Sequence, residues 1–211
     1  MIWNETIECM SRDEMRKLQG IRLRQTVERV YHNTPFYRKK MQELGITPND
    51  INSIDDIVKL PFTTKQDLRD NYPFGLFAVP MSEIVRLHAS SGTTGRPTVV
   101  GYTRQDLATW GEVVARCLSA YGTDKHDIFH VSFGYGLFTG GLGLHYGVEN
   151  LGATVIPMSS GNTAKQIQLM HDFGSTALAC TPSYALYLAD AIKDSGIPVS
   201  YTHLRAHETL M

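Results

Sequence analysis

Residues 128–157, IFHVSFGYGLFTGGLGLHYGVENLGATVIP, decide how the chain folds. They open on a short apolar run, Ile128–Phe133, and close on a second, Ala153–Pro157. Both are strand-sized. The stretch between them, Leu137–Asn150, is rich in glycine and long enough for a helix. Strand, helix and strand in such a span make a βαβ unit, whose two strands lie parallel because a hairpin cannot join them. The rhythm continues on either side. Gln105–Tyr121 places Leu107, Trp110, Val114, Leu118 and Tyr121 at helical spacing. Ala164–Phe173 reads as a helix, Thr176–Cys180 as a strand, and Ser183–Lys193 as a helix ended by Gly196 and Pro198.

Upstream the character differs. Ser11 with Glu14, and Ser53 with Asp56, have capping-box spacing, and Thr63 or Thr64 opens a helix over TTKQDLRDNY. Pro35 falls in the first turn of a helix that Gly45 follows. The expected fold class is α/β: an N-terminal helical segment, then βαβ units forming part of a mostly parallel sheet. The expected divisions are 1–82, helical; 83–200, partial α/β; and 201–211, YTHLRAHETLM, a tail that breaks the rhythm and reads as non-native sequence. His203 and His207 are set aside with it.

Composition narrows the function. With 42% hydrophobic and 19% charged residues, the 211-residue chain can build a core, which excludes wholesale disorder. Twenty Lys and Arg balance 21 Asp and Glu, so no positive excess invites nucleic acid or an anionic membrane. Cys9, Cys117 and Cys180 are too few and too scattered for a disulfide framework. No run nears the ~20 apolar residues that span a bilayer, and MIWNETIECMSRDEM lacks the form of a signal peptide. A cytoplasmic protein is expected.

Two segments carry candidate chemistry. Between the strand-like runs Ile84–Ala89 and Val99–Tyr102 lies Ser90-Ser91-Gly92-Thr93-Thr94-Gly95-Arg96-Pro97-Thr98. Its glycines permit close backbone approach to an anion, its hydroxyls can donate to phosphate oxygens, and Arg96 adds a planar fork. The glycine spacing and the missing Lys exclude a Walker A loop, while a ligand-free hairpin turn stays open as the alternative. The second segment, Phe133–Gly147, leaves a strand for a helix, where open α/β sheets bind ligands. Tyr135 and Phe138 could wall an apolar pocket there. Gly141, Gly143 and Gly147 fall inside the helix, which fits tight packing better than dinucleotide binding. Cys180 reads as a small buried hydrophobe, and His126 and His130 as hydrogen-bonded histidines.

These residues resemble the adenylate-forming acyl-CoA synthetases, and within them the ligases of aryl acids such as phenylacetate. SSGTTGRPT is similar to their ATP-phosphate loop; LPFTTKQDLRDNYPFG, FGYGLFTGGLGLHYGVENLGATVIP and CTPSYAL follow their motifs in order, so that the likeness runs over residues 1–200. It implies a reaction in two steps, from carboxylate to acyl-adenylate to acyl-CoA thioester, with ATP, Mg2+ and coenzyme A taking part. It implies phosphate binding by Ser90, Ser91, Gly92, Thr93, Thr94, Gly95, Arg96 and Thr98. It also implies an aryl-acid pocket at Tyr135, Gly136 and Phe138, approached by Thr181 and Pro182, and a homodimer when full-length. The family's adenine, ribose and adenylation-lysine motifs have no counterpart here, and the chain alone is expected to be inactive. The reading from another class is a stand-alone nucleotide- or anion-binding module without catalysis.

Overall fold

A computed structural model describes residues 1–90 and 97–197, together with the backbone of residues 205–206. Two compact units divide the chain between Arg104 and Gln105, and Met1–Trp3 belong to the second. The strands flanking the hydroxyl-rich loop therefore group with the N-terminal helices, although sequence rhythm alone placed them with the α/β part.

The N-terminal unit holds α1 (Glu5–Glu8), α2 (Arg12–Asn33), α3 (Pro35–Glu43), α4 (Lys65–Asp70), β1 (Arg86–Ala89) and β2 (Val99–Tyr102). Ser11 and Glu14 form the reciprocal capping box that starts α2, and Pro35 occupies the first turn of α3. Val27, Met41 and Ile51 make its core, with Leu23, Tyr37 and Leu60 packed around them. Gly20 lets α2 approach a 3-10 turn over Ile54–Lys59, since a Cβ there would come within 3.3 Å of the Ile54 backbone nitrogen. Thr64 caps α4 and Asp67 closes its box. The Asp67 carboxylate also accepts from Lys40 Nζ at 2.9 Å, tying α4 to α3. β1 and β2 are antiparallel, Arg86 opposite Tyr102 and Ala89 opposite Val99. The strand expected from Ile84 starts two residues later, because a 3-10 turn over Met81–Glu83 precedes it.

The second unit holds α5 (Arg104–Ala120), β3 (Ile128–Val131), α6 (Thr139–Leu151), β4 (Thr154–Ile156), α7 (Thr163–Asp172), β5 (Ala177–Ala179) and α8 (Pro182–Ser195). The residue pair 205–206 forms β6. The sheet order is β4-β3-β5-β6, with every pairing parallel. The tail expected to carry no strand thus contributes two paired residues beside β5.

Helices cover both faces of this sheet. Phe129 and Val131 of β3 and Ala177 and Ala179 of β5 share a cluster with Ala115 and Leu118 of α5 and Val148 and Leu151 of α6. Leu178, one residue out of phase, packs instead with Ile167 and Met170 of α7 and Leu188 of α8. This is the period-2 alternation of a strand buried on both sides. Gly152, at φ 82°, ends α6 in the left-handed region.

The glycines of α6 serve packing. A Cβ on Gly143 would overlap the Trp110 ring, and one on Gly147 would overlap the Val114 side chain, both from α5. They sit in the helix body, away from the strand-to-helix turn, so the dinucleotide alternative has no structural support.

Two predictions follow from these contacts. Gly147→Ala should lose about 1–3 kcal/mol in urea unfolding from overpacking, and Val114→Ala in the same chain should recover part of that loss. Asp67 is held down to about 2 from 3.8, foremost by the Lys40 hydrogen bond and then by the Thr64 backbone N–H. Because its folded pKa is depressed, its contribution is present above pH 3.8 and disappears as pH falls through about 2. The stability difference between the native chain and Asp67→Asn should therefore shrink across that window.

Candidate active site

The hydroxyl-rich hairpin is built from its neck outward. Beyond the last β1–β2 pair, Ser90 N–H donates to the Thr98 carbonyl at 3.0 Å, and Thr98 N–H donates to Ser90 Oγ at 2.9 Å. Two expected phosphate-loop residues thus clamp the two ends of the loop together. Behind them, the Phe77 ring lies over Gly101 of β2, where a Cβ would come within 2.7 Å of it. His88 is fully buried and meets Tyr102 edge-on at 5.6 Å. The hairpin therefore stands on a packed base. Ser91, Gly92, Thr93, Thr94, Gly95 and Arg96 lie outside the described residues.

The other expected residues gather at one end of the parallel sheet. Tyr135, Gly136 and Phe138 follow the carboxyl end of β3; Thr181 and Pro182 follow that of β5, its direct neighbour. The chain leaves β3 for β4 on one side and then returns past it to β5 on the other. That reversal makes β3/β5 the topological switch point, where the crevice outside the strand ends takes ligands in open α/β sheets. Phe138 is 59% exposed, Gly136, Thr181 and Pro182 are exposed, and Tyr135 is half-buried. Thr181 is the N-cap of α8 and Pro182 its first residue, so that helix begins at the same end.

A fully buried glutamine braces this end. Gln166 of α7 receives Ser132 Oγ–H at 2.5 Å and His130 Nε2–H at 3.2 Å on its Oε1. Its Nε2 donates to the Ser159 carbonyl at 3.2 Å and the Gly161 carbonyl at 2.6 Å. The whole amide is thereby used, joining the exit of β3 to the loop after β4. Ser159 N–H adds a bond to the Val131 carbonyl at 3.1 Å. His130 sits within β3, not at its start, and burial pushes its pKa down, which matches a neutral ring donating from Nε2.

Tyr135 packs against the hydrophobic core of the second unit and reaches α6 through its hydroxyl. Its hydroxyl lies 3.3 Å from Nδ1 of His145 on α6, whose Nε2 lies 3.2 Å from Glu149 Oε1. Burial, aided by the Glu149 charge, raises the Tyr135 pKa to about 12. Burial also raises the Cys180 thiol, which makes it a poor nucleophile, in keeping with its reading as a small apolar residue. Among the described residues no group of three or more His, Cys, Asp or Glu side chains could hold a metal ion. None of their helices is long and apolar enough to cross a membrane. Sequence reasoning did not single out His145, Glu149 or Gln166. The i, i+4 spacing of the first two on a foreseeable helix was a usable signal; Gln166 gave none.

A parallel sheet with a topological switch point at β3/β5, joined in sequence to a hydroxyl-rich hairpin, fits the class of the adenylate-forming CoA ligases. A structure of 2-hydroxyisobutyryl-CoA ligase in complex with 2-HIB-AMP and CoA in the thioesterification state matches with a TM-score of 0.89 at 31% identity, covering 97% of this chain and 45% of that one. The phenylacetate-coenzyme A ligase of Pseudomonas putida is 56% identical over 193 residues, and that of Escherichia coli (strain K12) 55% over 189 residues. These matches take in 92% and 90% of this chain but 44% and 43% of the relatives, so the chain spans less than half their length. No family model matches it. Over the stretch that it spans, the chain belongs to the phenylacetate–CoA ligase family.

Removing the brace should loosen the sheet end. Gln166→Leu would strand the Ser132 hydroxyl and two loop carbonyls, costing about 1–3 kcal/mol per unsatisfied group. Hydrogen exchange over residues 157–162 should then rise more than exchange in β5. In an alkaline spectrophotometric titration, Tyr135→Phe should remove a tyrosine step near pH 12. Because the folded pKa is the raised one, protonated Tyr135 contributes stability below pH 10 that is lost as pH rises through about 12.

Proposed function

We propose that the chain supplies the nucleotide-phosphate loop and the aryl-acid pocket of an ATP-dependent phenylacetate–CoA ligase. The observation carrying this is the convergence of Tyr135, Gly136 and Phe138 with Thr181 and Pro182 at the β3/β5 switch point, in a chain 56% identical to such a ligase. Two exposed apolar side chains, Leu137 and Phe138, stand beside a half-buried tyrosine there, a lining suited to an aromatic ring. A carboxylate of that ring's side chain would face the sheet end, where the N-terminal end of α8 offers the partial positive charge of the helix dipole.

The chemistry needs activation because a carboxylate resists attack by a thiol. One carboxylate oxygen attacks the α-phosphorus of ATP, the bond to the β-phosphate oxygen breaks, and pyrophosphate leaves. The acyl-adenylate formed has AMP as its leaving group. The sulfur of coenzyme A then attacks the carbonyl carbon, the C–O bond to AMP breaks, and the thiol proton passes to solvent. In this reading Ser90 and Thr98 fix the mouth of the loop, while Ser91–Thr94 and Arg96 donate to the phosphates. Positioning and charge stabilisation are the main tasks of a protein in phosphoryl chemistry. Mg2+ would neutralise phosphate charge, and among the described residues no group of three or more His, Cys, Asp or Glu side chains offers a cage for it.

Two titrations and one assay test this reading. Arg96→Ala should weaken ATP binding about tenfold or more, the scale of a charge-assisted hydrogen bond, and leave phenylacetate binding unchanged. Phe138→Ala should do the reverse. The protein extended by the region its relatives carry downstream should form phenylacetyl-CoA and release pyrophosphate, whereas residues 1–211 should not. ATP binding without any phenylacetate binding would favour a stand-alone nucleotide-binding module instead.

A further inference from the structure

Tyr135 poses a physical problem for an aryl-acid pocket. A ligand ring packed on a tyrosine strips water from the phenolic hydroxyl, and a buried hydroxyl left without a partner weakens the complex. The structure supplies that partner from within. Glu149 Oε1 lies 3.2 Å from His145 Nε2, and a carboxylate that close favours the proton on that nitrogen and leaves Nδ1 bare. That Nδ1, 3.3 Å from the phenolic oxygen, accepts the Tyr135 O–H. The two rings meet edge-on, with centroids 5.8 Å apart and planes at 89°, which also fixes the tyrosine side chain. His145 and Glu149 are one helical turn apart on α6, the helix that the Tyr135 segment enters directly.

We propose that Glu149 and His145 are positioning residues that hold the Tyr135 hydroxyl satisfied inside the protein, so that its ring serves as a dry wall for an aromatic acid. The proposal rests on the reading that Tyr135 lines the aryl-acid site. The relay lets an apolar ring displace water from Tyr135 without stranding a donor. It contributes nothing to ATP binding, because neither residue belongs to the hairpin.

The roles differ in kind. Glu149, half-exposed, sets which imidazole nitrogen carries the proton; His145, four-fifths buried, receives the tyrosine proton. Deleting His145 should harm ligand binding only while Tyr135 keeps its hydroxyl.

The test is phenylacetate titration of the full chain followed by tyrosine-ring NMR, with nitrogen-15 histidine spectra to read tautomers. His145→Leu should weaken phenylacetate binding about tenfold, the scale of one stranded hydroxyl. Adding Tyr135→Phe to His145→Leu should restore most of it, a rescue that a merely structural role for His145 would not give. Glu149→Leu should lower the Nε2–H fraction of His145 and weaken binding less. ATP affinity should stay constant throughout. Equal phenylacetate affinity in the native chain and His145→Leu, or no rescue by Tyr135→Phe in a folded double variant, would overturn the relay alone. Phenylacetate that binds without shifting Tyr135, or does not bind at all, would overturn the site reading and the relay with it.

Discussion

Strand β3 is only four residues long, yet it sits between β4 and β5 and passes its pairing on beyond its own end. Ser132 N–H reaches the Ala179 carbonyl at 2.8 Å, and the Val131 carbonyl takes the Ser159 N–H at 3.1 Å. The end of β3 is thus tied to β5 on one side and to the loop after β4 on the other. Everything at the site depends on this parallel pairing. It brings two loops that are about 45 residues apart in sequence, around Tyr135 and Thr181, to adjacent strand ends.

A pairing so short needs support, and each face supplies it differently. On one face α6 closes against α5 through positions with no side chain, Gly143 and Gly147 receiving Trp110 and Val114. Apolar contact at that distance gains dispersion energy across many atoms and leaves no room for adjustment. On the other face a polar group does the bracing. Gln166 is fully buried, and its amide meets the hydroxyl, imidazole and carbonyl groups that the loops would otherwise leave unpaired. Burying an amide in that way is favourable only when every donor and acceptor finds a partner. The site end is therefore rigid where strands exit and open where Leu137 and Phe138 face solvent.

The same division between apolar and polar recurs at Tyr135. Its hydroxyl is turned to His145 at 3.3 Å, so in the proposed site one residue would offer an apolar wall and hide its donor. In the N-terminal unit the order is reversed: a packed base of Phe77 on Gly101 and buried His88 carries a loop whose work would be done by hydroxyls. Each half of the proposed chemistry thus has a base that suits it, a polar grip for phosphate and an apolar wall for an aromatic ring.

Sequence by itself determined the element order, the parallel character of the second sheet and the positions of the helix starts. Those features come from local causes: Ser11, Ser53 and Thr64 cap because the residue three places on is acidic, and Val99–Tyr102 is a strand because it is apolar and bounded by turn residues. Sequence also marked Tyr135, Phe138, Thr181 and Pro182 by motif. Tertiary structure alone decided that β1 and β2 pack with the N-terminal helices, that the α6 glycines receive α5, and that Gln166 braces the sheet end. The physical reason is distance along the chain. A cap or a strand is set by neighbours within a few residues, whereas a buried glutamine or an acceptor for a tyrosine proton acquires its role only when folding brings remote groups within hydrogen-bonding reach.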